Sequence, residues 1–518
     1  MATFIEELLN DRIRGDDDWG LVIVDEKTPV EFYKNLLMRV SQDTTRLAFR
    51  IPSNSRIGLP GNNRLRKDTR QAIYYGNELF DVWTYRLLPQ QVVVLSLFNG
   101  VRTIEEVGNI VATISKCNQM AAEVKVRHLL HTLDYGLKPT FFTTNRQSTR
   151  NLLAFDPLDY LIPNTKLSVR LDAPTSLMLM PTDKCLTDCE YCYACRKPVP
   201  SDNLLKTNRI LELIDEAHSV GIIAVSLNGG DVFANPDHMI ILERTLGYDI
   251  EPGISTKAYI SKGKAKELAK IGLKWLQVGL DSTKEMCDKL VRRHGYFDRI
   301  VETIHNLTDV GIKVRTNSII TSESLPLLPE LVDFLMTLPL FDIKVAPAFL
   351  GLYRGNEQML LSAEQKKWYR TVMDEKVKQY PEHKINWECE EDILDANEDQ
   401  IAGWFKSRPY CSSGRTQIVI APDGKVTTCE QSPQDGDFVC GDVNCQSIME
   451  VWNSEALKKW YEPPHEYFAE TVCYDCEAFD HCIHGMGHCW LQVLKMQGHL
   501  WAPHPYCPKS DKPTQRWR

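Results

Sequence analysis

The chain has 518 residues, of which 25% are charged, and its formal net charge is −9 at pH 7. This length is too great for one compact core and predicts two to four domains, while an acidic chain without a dense basic run is not expected to bind nucleic acid. The first twenty residues lack the basic and apolar regions of a signal peptide, and no uncharged apolar stretch of ~18 residues occurs, so we expect a cytoplasmic protein with no membrane partner.

Residues 1–80 are expected to form an N-terminal extension that belongs in part to the following domain. Between residues 81 and 150, "NELFDVWTYRLL" predicts a strand, and Thr103 with Glu106 predicts a capping box at the start of a helix. The apolar residues expected on one face of this helix are Ile104, Val107, Ile110, Val111 and Ile114. Those of a second helix, which should end near Gly136, are Val126, Leu129, Leu130 and Leu133. Strands with two or three helices in so few residues favour a small winged-helix-like domain.

Residues 170–350 alternate short apolar runs with helical periods, and this pattern predicts an α/β fold. The six runs are "SLMLMP", "IIAVSLNGG", "DIEPGIST", "WLQVGLD", "KVRTNSIIT" and "DIKVAPAF". Such alternation indicates a parallel sheet or partial barrel with its functional site at the carboxyl ends of the strands. Residues 351–405 are expected to form a helical bridge to a cysteine-rich region at 406–518.

The chain contains 16 cysteines, and their clustering is the main chemical signal. In a reducing compartment such clusters indicate metal or iron–sulfur sites rather than disulfides. Cys185, Cys189 and Cys192 follow the first predicted barrel strand with C-x3-C-x2-C spacing. Three thiolates on one loop can bind three irons of a cubane cluster and leave the fourth iron open. A zinc site or simple buried cysteines are the alternatives, although structural zinc usually takes four closed ligands. Cys195 is interpreted as a spare thiol.

The segment "CLTDCEYC", with the aromatic Tyr191 before its third cysteine, resembles the signature of the radical S-adenosylmethionine (SAM) superfamily. The resemblance implies a partial (β/α)6 barrel and a 4Fe–4S cluster whose open iron chelates SAM. It also implies reductive cleavage of SAM to a 5′-deoxyadenosyl radical, which abstracts a hydrogen atom from the substrate.

Residues at the following strand ends match positions where that family contacts SAM. "LNGGD" resembles the family's glycine-glycine-glutamate motif, with Asp231 in place of glutamate, and implies that Gly229, Gly230 and Asp231 hold the SAM ammonium. The further SAM-contact candidates are Ser255, Asp281, Ser282, Arg292 or Arg293, and Asn317. A tight glycine turn and ordinary polar residues at strand ends are the alternative interpretations.

The carboxyl-terminal cysteines resemble the SPASM domain, which carries two auxiliary iron–sulfur clusters. The resemblance rests on Cys411, Gly424 and Cys429, then on "CYDCEAFDHC" and two later cysteines. It implies that one cluster is bound by Cys473, Cys476, Cys482 and Cys507. The other is bound by Cys411, Cys429 and Cys489, with Cys440 favoured as its fourth ligand over Cys445 or an open iron. Structural zinc remains the alternative. Glu430 lies where sulfatase-maturing relatives place a proton-accepting acid.

"FNGVRTIEEV" resembles the PqqD-like domains that bind the leader of a precursor peptide as an added strand. A DNA-binding winged helix is the alternative. Together the resemblances imply an oxidoreductase that matures a ribosomally made (RiPP) peptide by a carbon–carbon or thioether cross-link. It would use SAM, three 4Fe–4S clusters and a reducing partner such as flavodoxin or ferredoxin. A sulfatase-maturing type of enzyme and a noncatalytic iron–sulfur carrier or regulator are the rival functions.

Overall fold

The structure is a computed structural model that divides into two compact units, Met1–Asp172 and Ala173–Arg518. The residues it describes are 51–78, 81–133, 140–148, 151–162, 170–194, 199–349, 351, 357–389, 397–408 and 410–510. Most of the N-terminal extension, the expected helix end at Gly136 and the spare thiol Cys195 therefore lie outside the described residues.

The amino-terminal unit combines two small antiparallel sheets with three described helices. Its strands are β1 (Arg56–Gly58), β2 (Arg64–Lys67), β3 (Ala72–Glu78), β4 (Asp81–Leu87), β5 (Asn99–Thr103) and β6 (Phe142–Thr144). One sheet has the order β2-β3-β4 and the other β5-β1-β6. The helices are α1 (Pro89–Ser96), α2 (Ile104–Ser115) and α3 (Gln119–Thr132). The predicted strand in "NELFDVWTYRLL" is confirmed as β4.

Helices α2 and α3 form the core of this unit, mostly as their periodicity predicts. The Thr103 hydroxyl accepts a hydrogen bond from the Glu106 backbone N–H, and the Glu106 carboxylate accepts one from the Thr103 N–H, so the capping box is confirmed. The predicted apolar face of α3 is buried throughout. On α2 one assignment is wrong: Ile114 is 52% exposed, because it lies in the last turn, past the contact with the core.

The carboxyl-terminal unit contains two largely parallel sheets. The strands of the expected barrel runs are β7 (Ser176–Leu179), β8 (Ala224–Leu227), β9 (Glu251–Gly253), β10 (Ser255–Thr256), β11 (Trp275–Gly279), β12 (Lys313–Ile320) and β13 (Asp342–Pro347). A further strand, β14 (Ile385–Trp387), pairs with β13 and lies in the segment 351–405, so the prediction of a purely helical bridge there is wrong. The later strands are β15 (Gln417–Ile420), β16 (Lys425–Thr427) and β17 (Gly441–Asp442). The sheet orders are β17-β16-β15-β7-β8-β9 and β10-β11-β12-β13-β14. All six apolar runs are strands, with β9 and β10 sharing the run "DIEPGIST".

Helices separate these strands as expected of a (β/α) fold. Those before β15 are α4 (Thr207–Ser219), α5 (His238–Gly247), α6 (Lys262–Lys270), α7 (Lys284–Leu290), α8 (Tyr296–Thr308), α9 (Leu328–Leu335), α10 (Ala363–Gln379) and α11 (Glu398–Ser407). The last are α12 (Ile448–Trp452), α13 (Glu455–Tyr461), a π-helix at Asp480–Met486 and α14 (Trp490–Gln497). No described helix is both long and apolar enough to cross a bilayer.

The cysteine-rich region is continuous with the barrel sheet. Strand β15 pairs in parallel with β7, the first barrel strand, over Gln417–Ile420 and Ser176–Leu179. The guanidinium of Arg209 on α4 also donates to the Val443 carbonyl at 2.8 Å. One hydrophobic core accordingly contains residues of the barrel strands together with Trp452 and Trp460. The loop after β7 and the loop after β16 are thus carried by the same sheet.

Candidate active site and auxiliary thiol groups

The loop after β7 carries Cys185, Cys189 and Cys192 and is held against the end of α7. The backbone N–H of Asp188 donates to the Val291 carbonyl at 3.1 Å, and that of Glu190 donates to the Leu290 carbonyl at 3.0 Å. This loop contains no regular secondary structure. Its three thiols therefore depend on such contacts for their positions.

Arg292 and Arg293 hold this loop, which differs from the expectation that one of them pairs with the SAM carboxylate. The Arg292 guanidinium lies 3.2 Å from both the Asp188 and Glu190 carboxylates. Arg293 donates to the Leu186 carbonyl. Arg292 has a positive φ of 53°, and this left-handed turn directly follows the end of α7, next to the loop. The charge of Arg292 is thereby neutralised at the outer side of the loop, where its side chain is 56% exposed.

Gly229 and Gly230 allow the end of β8 to approach the cysteine loop. Gly229 has φ +105°, and a Cβ there would lie 2.6 Å from the Met180 side chain. A Cβ on Gly230 would lie 2.1 Å from the Lys184 carbonyl oxygen. Instead the Gly230 N–H donates to the Thr182 carbonyl at 3.0 Å. Both positions need glycine, one for its backbone conformation and one for space.

Asp231 turns its carboxylate toward the next strand. It accepts hydrogen bonds from the Thr256 hydroxyl at 2.8 Å, the Lys257 N–H at 2.9 Å and the Phe233 N–H at 3.1 Å. Burial raises the pKa of Asp231, and these donors lower it in part. In this structure the carboxylate that the sequence assigned to the SAM ammonium joins the ends of β8 and β10.

Asp281 is the centre of a buried network beneath the cysteine loop. Its carboxylate accepts hydrogen bonds from the Tyr191 hydroxyl and from the Ile319 N–H at 3.0 Å, and Lys257 Nζ lies 3.2 Å away. Burial disfavours the charged ammonium, but Asp281 and Cys189 outweigh it and raise the pKa of Lys257. Sequence reasoning missed Lys257, although it directly follows the strand end "IST".

Two polar atoms, one shortly after β11 and one within β12, have no hydrogen-bond partner among the described residues. They are Ser282 Oγ and Asn317 Oδ1, and both are buried. Asn317 pairs in register with Gly279, the last residue of β11. Ser255 differs, because its hydroxyl accepts from the Gln277 amide at 3.0 Å. Buried polar atoms need partners, so Ser282 and Asn317 fit a bound polar ligand at this edge.

The carboxyl-terminal thiols fall into two groups, which match the expected ligand sets. Burial raises the pKa of Cys429 to about 12, and Glu430, Cys489 and Cys411 add to this effect. We name Cys411, Cys429 and Cys489 the first auxiliary group. Burial likewise raises the pKa of Cys473 to about 12, and Cys507, Cys482 and Cys476 raise it further. These four cysteines form the second auxiliary group.

Cys440 lies outside both auxiliary groups, which contradicts the expectation that it completes the first. Its thiol donates to the Phe438 carbonyl at 3.6 Å and its side chain is 2% exposed. Burial raises its pKa to about 12, and Lys459 and Trp460 are the neighbours that lower it. The Cys440 N–H donates to Val426 beside β17, and this ladder position turns the thiol into the core. The other candidate, Cys445, is exposed and donates to the Asp442 carbonyl at 3.5 Å.

Tyr193 joins the cysteine loop to the first auxiliary group. Its hydroxyl donates to the Glu430 carboxylate, and both Cys192 and Cys429 lie close enough to affect its pKa. Glu430 is the strongest of these influences, followed by burial, and the pKa of Tyr193 is raised well above its usual value. Burial raises the pKa of Glu430 to about 7. The expected acid thus meets a tyrosine that sequence reasoning missed, although it directly follows Cys192.

Comparison with known proteins identifies the two parts of this unit. Residues 179–329 match the radical SAM superfamily, and residues 411–477 match the SPASM family, an iron–sulfur cluster-binding domain. The chain contains a radical SAM domain followed by a SPASM domain. S-adenosylmethionine and iron–sulfur clusters are the cofactors of these domains.

Individual relatives cover different shares of the chain. The probable GTP 3′,8-cyclase of Halobacterium salinarum is 28% identical over 159 residues, 29% of this chain and 44% of that protein. The subtilosin biosynthesis protein AlbA of Bacillus subtilis is 24% identical over 322 residues, 60% of this chain and 66% of that protein. The chain spans less than half the length of the first curated relatives it matches. The crystal structure of Streptococcus suis SuiB bound to precursor peptide SuiA aligns with 87% of this chain and 99% of its own, at TM-score 0.60 and 18% identity, which is a likeness of fold.

The residues of the radical SAM domain fit the cofactors of that family. The loop offers three thiols, and the unpartnered oxygens of Ser282 and Asn317 lie at the strand ends near it. Among the described residues, no three cysteine, histidine or carboxylate side chains converge on one metal ion. A cubane cluster does not require side chains to converge on one metal ion, because each thiolate binds a separate iron. Cys185, Cys189 and Cys192 would hold the SAM-binding cluster, and the two auxiliary groups would hold the others.

Proposed function

We propose that this protein is a radical SAM oxidoreductase that modifies a ribosomally made precursor peptide. The observation that supports the proposal most is the hydrogen bond from the Tyr193 hydroxyl to the Glu430 carboxylate, because it links the loop that we assign to the reactive cluster with the first auxiliary group. An oxidative cross-link requires a proton and an electron to leave the substrate after hydrogen abstraction. Here the base, Glu430, would lie beside the electron acceptor, the cluster of the first auxiliary group.

The reaction would form a carbon–carbon or thioether cross-link in the core of the peptide. SAM bound to the reactive cluster supplies the hydrogen-abstracting radical. Glu430 takes the proton released as the cross-link forms, and Tyr193 orients its carboxylate. Epimerisation is less favoured, because it returns a hydrogen atom to the substrate and needs no electron sink.

The amino-terminal unit would recruit the substrate as a PqqD-like leader-binding domain. It combines the three-stranded antiparallel sheet β2-β3-β4 with α1, α2 and α3, and its capped "GVRTIEEV" segment forms β5 and the start of α2. An extended leader peptide can be bound as an additional strand of such a sheet. The precursor peptide named with SuiB and the bacteriocin named with AlbA support a peptide substrate.

The full set of cofactors and partners follows from the same proposal. Three 4Fe–4S clusters are assigned, one to the loop after β7 and one to each auxiliary group. A flavodoxin or ferredoxin would supply electrons for SAM cleavage, and the proposed location is the cytoplasm. The fourth ligand of the first auxiliary cluster would be a group other than Cys440, or the substrate itself at an open iron.

Coexpression with a candidate precursor peptide tests this function. Mass spectrometry should show a product two mass units lighter than the unmodified core, together with 5′-deoxyadenosine from reduced enzyme. A sulfatase-maturing type of enzyme would instead oxidise a cysteine or serine of a sulfatase peptide and would not depend on a leader. A noncatalytic carrier or regulator would produce no 5′-deoxyadenosine. The absence of 5′-deoxyadenosine from the reduced, iron-replete protein would refute the enzymatic proposal altogether.

A further inference from the structure

Nitrogen donors surround the sulfur atoms of the second auxiliary group. Arg408 Nη2 lies 3.1 Å from Cys482 Sγ, and His488 Nε2 lies 3.6 Å from the same sulfur. Lys509 Nζ lies 3.6 Å from Cys476 Sγ. Two of these three donors carry a positive charge on their side chains. The sulfurs that would bind the cluster are therefore set in a positive, hydrogen-bonding environment.

Arg408 is the most firmly held of these donors. It directly follows α11, its guanidinium stacks over the Phe405 ring at 3.8 Å, and Nη1 donates to the Phe405 carbonyl at 2.5 Å. The Phe405 ring in turn packs against His504, with ring centroids 5.8 Å apart, and the His504 carbonyl accepts from the Cys507 N–H. Because the planar guanidinium is held by Phe405 on its face and at Nη1, the direction of Nη2 toward Cys482 is fixed.

The first auxiliary group has a neighbour of opposite charge. Glu430 directly follows Cys429, one of the three thiols of the first auxiliary group. A carboxylate beside one cluster and a guanidinium on a sulfur of the other act in opposite directions. Hydrogen bonds to cluster sulfurs and nearby positive charge stabilise the reduced, more negative state of a cluster, while negative charge opposes reduction.

We infer that Arg408 raises the reduction potential of the cluster held by Cys473, Cys476, Cys482 and Cys507 and makes it the preferred electron acceptor of the two auxiliary clusters. This inference rests on the proposed function for the origin of the electron. The substrate would lose one electron to the first auxiliary cluster, which would be reduced by that electron. That cluster is reoxidised as it reduces the second by one, and a one-electron carrier protein then removes the electron. Arg408 is a positioning residue, because it acts through Cys482.

Potentiometric titration followed by electron paramagnetic resonance tests this assignment on the full-length, iron-loaded protein without peptide. The titrations use a protein in which Cys185, Cys189 and Cys192 are all replaced by alanine. In this protein only the auxiliary clusters remain to be titrated. Arg408→Gln should lower one midpoint potential and leave the other unchanged. The expected shift is roughly tenfold in the equilibrium constant for reduction, which is about 59 mV for a one-electron couple. Arg408→Lys should give a smaller shift in the same direction, because lysine keeps the positive charge but lacks the planar guanidinium with its fixed N–H directions.

Arg244→Gln is the matched control, since Arg244 is paired with Asp215 in an exposed ion pair on α5 and should leave both potentials at their original values. If both midpoint potentials of iron-replete Arg408→Gln equal those of the protein with Arg408, the inference is overturned. If that variant fails to load iron, Arg408→Lys takes its place under the same criterion. Because the titration uses no peptide, its failure would leave the proposed peptide chemistry standing, and a missing peptide product would leave the potential shift intact.

Discussion

Tyr193 donates a hydrogen bond to the carboxylate of Glu430 although the two residues come from distant parts of the chain. Strand β15 pairs in parallel with β7 and in antiparallel with β16, so the segments that carry the two residues follow strands of one sheet. Tyr193 follows the third thiol of the reactive loop, and Glu430 follows Cys429 of the first auxiliary group. The Glu430 carboxylate is thus linked to both places to which we assign iron–sulfur clusters.

Replacing Glu430 with glutamine should separate SAM cleavage from product formation. The amide keeps the size of the side chain but cannot accept the substrate proton, so cross-linked product should fall by about 10²–10⁴-fold, the usual contribution of a general base. Production of 5′-deoxyadenosine should persist. Glu243→Gln, on the exposed side of α5, is the control. Wild-type product yield from Glu430→Gln would remove Glu430 from the reaction.

Tyr193→Phe should have a milder effect than the loss of Glu430. The phenylalanine keeps the ring contact with Phe349, whose centroid lies 5.3 Å away, and removes only the hydroxyl that orients the carboxylate. We expect reduced product with a normal iron content, and the ratio of 5′-deoxyadenosine to product should rise. Chromatography of both products in one reaction measures this ratio. An unchanged ratio would show that Glu430 needs no orientation from Tyr193.

Local features can be predicted from the sequence, whereas contacts between distant segments cannot. Strand periods and the α2 capping box depend on residues close together in the chain, and these predictions match the structure. The spacing of Cys185, Cys189 and Cys192 is equally local, and their role as cluster ligands stays a prediction. Asp231 and Arg292 were assigned from their positions at strand and helix ends. Their partners come from other segments, and tertiary packing alone decides which way each side chain turns.

The cysteines illustrate the same limit. The division of the SPASM thiols into two groups follows a family pattern, and thiols within each group lie close enough to raise one another's pKa. Their role as cluster ligands stays a prediction. Cys440 was favoured because it precedes a turn, and its burial against Trp460 depends on the pairing of β16 with β17. The nitrogen donors around Cys482 were also not recognised, since Arg408 is 74 residues from Cys482 in the chain and only tertiary packing brings the two side chains together.

Gly230→Ala should destabilise the reactive loop. The new Cβ would lie 2.1 Å from the Lys184 carbonyl oxygen, and backbone must move to relieve this contact. Overpacking of this kind costs about 1–3 kcal/mol, and the loop that binds iron should absorb the movement. We expect a lower midpoint in thermal unfolding and loss of SAM-dependent spectral changes.

Gly247→Ala is the control for this substitution, because it lies at the end of α5 with no atom within 4 Å of the added Cβ. It should be neutral or slightly stabilising, since alanine favours a helix. Equal stability and equal SAM binding in both variants would show that the close approach of Gly230 to Lys184 is not needed.

Replacing Cys185, Cys189 or Cys192 with alanine should abolish 5′-deoxyadenosine production while auxiliary iron remains. Each substitution would remove one of the three protein ligands that we propose for the reactive cluster. Iron and sulfide analysis should show partial loss of both elements. Continued 5′-deoxyadenosine production by the triple variant would refute the radical mechanism. Cys287→Ala is a suitable control, because this buried cysteine belongs to the core beside α7.

A chain that begins at Ala173 should separate recruitment from chemistry. The boundary between the two compact units lies there, and the remaining unit contains every proposed cluster ligand. We expect SAM cleavage without peptide to continue and modification of the leader-bearing precursor to fail at low peptide concentration, because a recruiting domain raises effective concentration. High concentrations of peptide should restore part of the product. Normal rates at low peptide concentration would contradict leader binding by the amino-terminal unit.

The last prediction concerns the fourth ligand of the first auxiliary cluster. Cys440 faces Phe438 and Trp460, and Cys445 is exposed and bonded to the Asp442 carbonyl, so neither thiol adjoins Cys429. Cys440→Ala and Cys445→Ala should therefore leave iron, sulfide and Mössbauer spectra unchanged. Cys440→Ala alone should lower stability, because it removes a buried sulfur from the core. Cys429→Ala is the positive control and should alter the spectrum of the cluster.

If neither Cys440 nor Cys445 is the fourth ligand, the next hypothesis to test is that the substrate binds directly to an open iron of this cluster. A precursor peptide with a core cysteine or another sulfur donor should then change the Mössbauer or electron paramagnetic resonance signal of this cluster, and a peptide lacking that donor should not. Cys489, a member of the same group, is exposed, so a ligand from outside the protein can reach this part of the site. If Cys440→Ala or Cys445→Ala changed the cluster spectrum instead, the loop that carries that thiol would have to rearrange when iron binds, and the open-iron hypothesis would fail.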